Sequence, residues 1–269
     1  VLPKGKFFGA IKYLELTLRI IFGYANRDIW HCNDFEPFLM AAMTKIFKRK
    51  LQVVYDAHEY AREKNGRDGI NKRFVNWMEP KIIHCADAVI TVSEGIAKEY
   101  VRLYGLEKVH VVYNAPHKIQ PIKADRFREA FGISPESKIF LYQGKFITGR
   151  GVQLLLDAFS ELDGSGAVLV FLGSGYLEND ISSAAGQVKN IFMHPAVSYE
   201  EIIAYSSSAD FGLNSVENVC LSYYYCMPNK LFEYIQAGIP IVTTNLYDCK
   251  HWLKTSILVW SFRNLLFRA

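Results

Sequence analysis

Apolar positions along this chain follow two rhythms that take turns. Short unbroken apolar runs mark buried strands, and longer stretches in which apolar residues recur every third or fourth position mark helices with one buried face. Ile11 to Phe22 carries Ile11, Leu14, Leu18, Ile21 and Phe22 on one stripe and predicts a packing helix, entered through a Lys4-Gly5-Lys6 loop. The same aromatic-flanked stripe also suits peripheral contact with a membrane surface, although Lys and Arg do not dominate its polar face. Asp28 to Asp34 predicts a strand running into a polar loop, Glu36 to Phe47 a helix, and Leu51 to Tyr55 a strand that stops at Asp56-Ala57-His58-Glu59. A helix follows from Asn71 to Cys85, with Phe74, Met78, Ile82 and Ile83 on its buried face, and then a strand from Ala88 to Val92. Ser93 is placed to cap a helix from Glu94 to Tyr104, and Gly105 to end it. Val109 to Tyr113 is a further strand, closed by Asn114-Ala115-Pro116.

Between Pro116 and Lys138 the composition shifts to Pro, Lys, Gln and Asp, around a short helix at Asp125 to Phe131 that Gly132 ends. This reads as a linker between domains. The alternation then restarts, with strands at Lys138 to Tyr142, Ala167 to Leu172, Asn190 to Met193 and Asp210 to Leu213. Helices at Val152 to Leu162, Tyr176 to Ala185 and Tyr199 to Ser207 separate them. The economical reading is α/β, with two successive doubly wound domains over residues 1–117 and 118–269. Both are expected to be incomplete at their outer ends. The chain begins at Val1 and enters a helical pattern without a first strand, and Leu253 to Ala269 is apolar and arginine-bearing without Gly or Pro punctuation.

The stretch from Leu213 to Asn245 organises the second half. Pro228 suits the first turn of a helix, Gly238 the left-handed position just past its end, and Ile239 to Thr244 a buried strand. Leu231, Tyr234, Ile235 and Gly238 repeat at helical spacing, which leaves Lys230 and Glu233 near the loop that precedes the helix.

Composition narrows the function classes only in part. Half of the 269 residues are hydrophobic and 22% are charged, enough for two ordinary cores. The net charge of +4 is spread along the chain, so nucleic acid is not the expected partner, while a small anionic ligand fits. Cys32, Cys85, Cys220, Cys226 and Cys249 are odd in number and form no Cys-x-x-Cys pair, which points to reduced thiols in the cytoplasm and away from a disulfide framework or a zinc site. No apolar run reaches the roughly 20 residues that span a bilayer.

Candidate chemistry sits where the predicted strands end, the rim on which open α/β sheets bind ligands. His31 and His58 share such a rim. His31 reads as a hydrogen-bonded structural residue, whereas His58, flanked by Asp56 and Glu59, has carboxylates that can fix its tautomer. No metal site is expected, because the two histidines match no ligand spacing. Gln143-Gly144-Lys145-Phe146-Ile147-Thr148-Gly149-Arg150-Gly151 runs into a helix, and its two cations, glycines and free helix amides outline a phosphate site. It is neither a P-loop nor a dinucleotide fingerprint. Gly173-Ser174-Gly175 is a second glycine turn, and Glu233 is a carboxylate able to accept from both hydroxyls of a ribose.

Five motifs in order carry a resemblance: Asp87-Ala88-Val89-Ile90-Thr91-Val92-Ser93; Val112-Tyr113-Asn114-Ala115-Pro116; Gly144-Lys145 with Arg150-Gly151; Leu172-Gly173-Ser174-Gly175; and Asn229-Lys230-Leu231-Phe232-Glu233-Tyr234 with Ala237-Gly238-Ile239-Pro240. Their order and spacing resemble family 4 of the retaining glycosyltransferases, over roughly Asp28 to Asn245. The resemblance implies two Rossmann-like domains facing across a cleft, the GT-B arrangement, and a metal-independent transfer from a UDP- or GDP-linked sugar to a glycan or glycolipid acceptor. The nucleotide-sugar is then a substrate and no cofactor is implied. By position, Lys145 and Arg150 look like the basic pair on the diphosphate, Glu233 like the ribose-binding glutamate, and His58 like the histidine facing the donor sugar. Gly144, Gly173, Gly175, Asn229, Lys230 and Leu231 complete the implied donor site. The chain departs from the family at Tyr225, which stands eight positions before Glu233 where the family has a second glutamate; Glu217 lies further back. The family's final helix is not evident after Trp252. A sugar-nucleotide epimerase and a non-catalytic nucleotide-sugar-binding partner subunit are the alternatives.

Overall fold

In the computed structural model, residues 6–24, 26–63, 66, 69–119, 123–254 and 259–261 are described, with the backbone alone for 6–14, 253–254 and 259–261. The chain divides into two compact units, Val1–Tyr113 and Asn114–Ala269.

The first unit runs α1 (Lys6–Gly23), β1 (Ile29–Asn33), α2 (Phe35–Phe47), β2 (Gln52–Ala57), α3 (Gly69–Ile82), β3 (Ala88–Thr91), α4 (Glu94–Tyr104) and β4 (His110–Val111). Its sheet is parallel in the order β1-β2-β3-β4, so every crossover steps the same way. The edge strand β1 alternates exposed and buried side chains, as a strand with one covered face does. Helix α4 has the predicted bounds: the Ser93 hydroxyl accepts from the Ile96 amide at 3.3 Å, and Gly105 closes the helix in the left-handed region.

The second unit runs α5 (Arg126–Phe131), β5 (Lys138–Lys145), α6 (Val152–Glu161), β6 (Ala167–Ser174), α7 (Glu178–Gln187), β7 (Ile191–Pro195), α8 (Ile202–Ser206), β8 (Phe211–Asn214), α9 (Leu221–Tyr224), α10 (Asn229–Ala237), β9 (Ile241–Thr243), α11 (Tyr247–Lys254) and β10 (Val259–Ser261). All described strand pairs are parallel, in the order β10-β9-β8-β5-β6-β7. Counted in chain order within the unit this is 3-2-1-4-5-6, the doubly wound order, and its direction of winding reverses between β5 and β8. The central strands β5 and β6 carry long buried runs because helices cover both faces.

Three differences from the sequence expectation matter for the site. Strands β5 and β6 extend to Lys145 and Ser174, with Gly144 paired to Gly173 and Lys145 to Ser174, so the glycine motifs begin inside the sheet. The zipper continues because Gly173, at φ 153°, lets the Gly144 carbonyl approach to where a Cβ would lie 1.8 Å from the oxygen. Pro228 is extended and caps α10 from outside, while Gly238 ends the helix at φ 74° as expected. Part of the apolar tail forms β10, parallel to β9; the segment after Trp252, where the family's final helix is not evident, lies mostly outside the described residues. Among the described residues no helix is long and apolar enough to cross a membrane, and all five cysteines are free.

Candidate functional site

The winding reverses between β5 and β8, the place where open α/β sheets bind ligands beyond the carboxyl ends of their strands, and the elements that follow these strands start there. β5 delivers Tyr142, Gln143, Gly144 and Lys145; the loop behind it delivers Arg150; and α10, which begins on the same rim, delivers Lys230 and Glu233.

Buried Gln143 is the knot that joins them. Its side-chain amide donates to the Glu233 carboxylate, its Oε1 accepts from the Ser206 hydroxyl at 2.7 Å, and its backbone amide donates to the Tyr234 hydroxyl at 3.1 Å. That hydroxyl in turn donates to Leu141 O at 3.0 Å. Burial pushes Glu233 above the ordinary carboxylate range, against the opposing effects of the Gln143 hydrogen bond and the Lys230 charge. Gln143 was legible in the sequence only as the first residue of a loop; its partnership with Glu233, 90 residues away, was not.

The three cations differ in their surroundings. Lys145 is exposed. Arg150 lies over the Tyr223 ring, with its guanidinium carbon 4.4 Å from the centroid. Lys230 is only 8% exposed, its Nζ lies 3.8 Å from the Tyr142 ring centroid, and that nitrogen has no hydrogen-bond partner. Burial, and secondarily the Arg150 charge, push the Lys230 ammonium down to about 7, while Glu233 and Cys226 oppose the shift.

The loop into α6 is held from β8. Gly151 sits at φ 77° as the helix cap, and a Cβ there would fall 2.1 Å from Ser215 O. The Ser215 hydroxyl donates to Arg150 O at 2.9 Å, and the Glu217 carboxylate accepts from the Gly151 amide at 3.0 Å. Glu217 thus faces the amino end of α6. Tyr225 ends α9 in a cluster with Tyr224 and Tyr247, with ring centroids 5.0 and 5.5 Å from its own. Asn229 is exposed; the Leu231 side chain is in the core and its amide donates to Pro228 O at 3.1 Å. A Cβ on Gly175 would meet Phe146 O at 2.2 Å, so this glycine packs against the β5 loop.

In the first unit, His31, in the middle of β1, and His58, just past β2, both border Asp56. His31 Nε2 is hydrogen-bonded to Asp56 Oδ2 at 2.9 Å, whereas His58 Nε2 stands 3.7 Å from the same oxygen. The carboxylate expected to orient His58 holds His31 instead, and His58 stays half exposed. Among the described residues, no group of three or more His, Cys, Asp or Glu converges as metal ligands.

Comparison with known proteins accounts for most of the chain. The profile of Glycosyltransferase Family 4 matches residues 2–115, and that of Glycosyl transferases group 1 matches residues 123–255. The chain belongs to the group 1, family 4 glycosyltransferases. Among family relatives, an uncharacterised glycosyltransferase of Methanocaldococcus jannaschii is 27% identical over 179 residues, covering 59% of this chain and 44% of that protein. The chain therefore matches less than half the length of this curated relative. Anabaena HepE in complex with UDP aligns over 93% of this chain and 69% of its own at 14% identity, with a TM-score of 0.73. Sucrose-phosphate synthase from Thermosynechococcus elongatus aligns over 98% and 68% at 15% identity, with a TM-score of 0.72. At such identities the likeness establishes the fold, which is the two-domain Rossmann-like GT-B fold of this family.

Proposed function

We propose that this chain moves a sugar from a UDP- or GDP-linked donor to a hydroxyl acceptor with retention at the anomeric carbon, in glycan or glycolipid assembly. The observation that carries the reading is the group at the β5–β8 reversal: three cations, a glycine turn at the start of α6 and the buried Gln143–Glu233 pair on one rim. Binding of UDP by the similarly folded HepE supports it. Glu233 would accept from the ribose hydroxyls, and Lys145, Arg150 and Lys230 would face the diphosphate.

As the bond from the anomeric carbon to the β-phosphate oxygen breaks, negative charge grows on the diphosphate, and fixed cations stabilise that change most. The acceptor oxygen attacks from the face the diphosphate leaves, and its proton passes to the departing phosphate oxygen, so charge balances and configuration is kept. To His58 the family resemblance assigns the orientation of the donor sugar. Because side-chain cations meet the leaving group, the reading calls for no divalent ion, and turnover should be unchanged by EDTA.

Transfer from radiolabelled UDP- and GDP-sugars by Lys145→Ala/Arg150→Ala is expected to fall at least ~100-fold with the circular dichroism spectrum preserved. Unchanged turnover sinks the assignment. A second reading, a nucleotide-sugar-binding subunit without turnover, is favoured by Tyr225, whose ring packs with Tyr224 and Tyr247 and brings no carboxylate. Donor turnover by the full-length protein would exclude it.

A further inference from the structure

Lys230 is an anomaly that donor contact alone does not explain. Its Nζ is buried without a hydrogen-bond partner, a costly state for a charged amine, and the helix holds it there. The Lys230 chain passes beside Gly144, where a Cβ would lie 3.8 Å from its Cε and 3.9 Å from its Nζ. The lysine end therefore lies beside the carboxyl end of β5, at a position of that strand without a side chain.

The charged and titratable groups around it are few. Arg150, from the loop behind β5, repels the ammonium; Glu233, on its own helix, and Cys226, in the segment before it, favour the ammonium. Tyr142, from β5, offers only its ring face. Glu233 accepts from Gln143, and no hydrogen bond joins it to the nitrogen. The result is a buried amine near the midpoint of its titration at neutral pH, about 7, with no hydrogen-bond partner.

We propose that Lys230 is a proton-coupled anion ligand: a diphosphate bound at the carboxyl end of β5 meets the Lys230 nitrogen in its ammonium form, so that donor binding takes up a proton from solvent. The inference rests on the nucleotide-diphosphate reading of this site. The balance is simple. Above neutrality the free protein holds mostly the amine, the bound state holds the ammonium, and the difference is drawn from buffer. Donor affinity then falls as pH rises above neutrality, although the nucleotide itself keeps full charge there.

Calorimetric titration of the whole chain with UDP and with GDP at pH 8, in Tris and in HEPES, reads the coupling directly. The dependence of the observed heat on the buffer's ionisation enthalpy should correspond to uptake of about one proton per nucleotide, and affinity should fall up to about tenfold per pH unit above pH 8. Lys230→Met should still fold, bind more weakly and take up no proton. Lys230→Arg, whose guanidinium is always charged, should bind without proton uptake and with an affinity flat in pH. Nucleotide binding by the wild type with no buffer dependence, or uptake that persists in Lys230→Met, overturns the proton coupling and leaves the donor reading standing. Absence of binding by both nucleotides in every buffer overturns both.

Discussion

Each unit of this protein buries an ionisable side chain, and the two are treated in opposite ways. In the first unit Glu79, on α3, is fully buried, and its carboxylate accepts from the hydroxyls of Tyr55 at 3.0 Å, Tyr100 at 2.9 Å and Tyr104 at 2.5 Å. Arg62 approaches Tyr104 at 3.4 Å, and burial raises all three phenols, which keeps them protonated as donors. In the second unit Lys230 is buried with no hydrogen-bond partner. A carboxylate whose two oxygens both accept from its own fold belongs to the architecture. A charge left without a hydrogen-bond partner beside a sheet's switch point is available to a ligand.

Substitutions in the two places should therefore part company. Glu79→Ala leaves three buried hydroxyls without their acceptor and should remove about 3–5 kcal/mol of stability, read by urea unfolding. A loss under about 1 kcal/mol would break the comparison. Tyr234→Phe asks whether satisfaction, and not the unit, is what matters. It strips the acceptor from the Gln143 amide within the second unit, and about 1–3 kcal/mol should be lost there too.

Lys230→Met should do the reverse. Without ligand it should gain about 1 kcal/mol at pH 7, because an unpaired buried cation is replaced by an apolar chain. The sign with pH follows from linkage. The folded state holds Lys230 at about 7 against an ordinary 10.5, so the unfolded chain binds more protons between those values and wild-type stability climbs across that window. Thermal melts from pH 7 to 10 should show this climb in the wild type and lose its Lys230 part in Lys230→Met. The smallest effect is expected at the Arg102–Glu99 pair of α4, where the Arg102 side chain is exposed and Arg102→Ala should change stability by less than about 0.5 kcal/mol.

Legibility varied along the chain for physical reasons. Helix α4 could be read residue for residue because its stops are local: a serine that caps its own third amide and a glycine that takes a left-handed turn. The ends of β5 and β6 could not, because Gly144 and Gly173 look like turn residues until their strands are laid side by side. Lys145, Arg150, Lys230 and Glu233 were recognisable as types of residue at the right kind of place. That His31 takes the Asp56 hydrogen bond, and that Glu217 faces the start of α6, depended on neighbours far away in sequence.

By itself the sequence determined what is encoded within a turn or a strand: the alternation of apolar periods, the caps and the polar rim where each strand stops. Only the tertiary structure decided the order in which parallel strands lie, and hence which rims meet. Parallel strands are joined by crossovers, and the apolar pattern of a strand does not name its neighbour. Setting β8 beside β5 brought α10 and the Arg150 loop to one rim, gave Glu233 to Gln143, and left the nitrogen of Lys230 over a ring face without a hydrogen-bond partner.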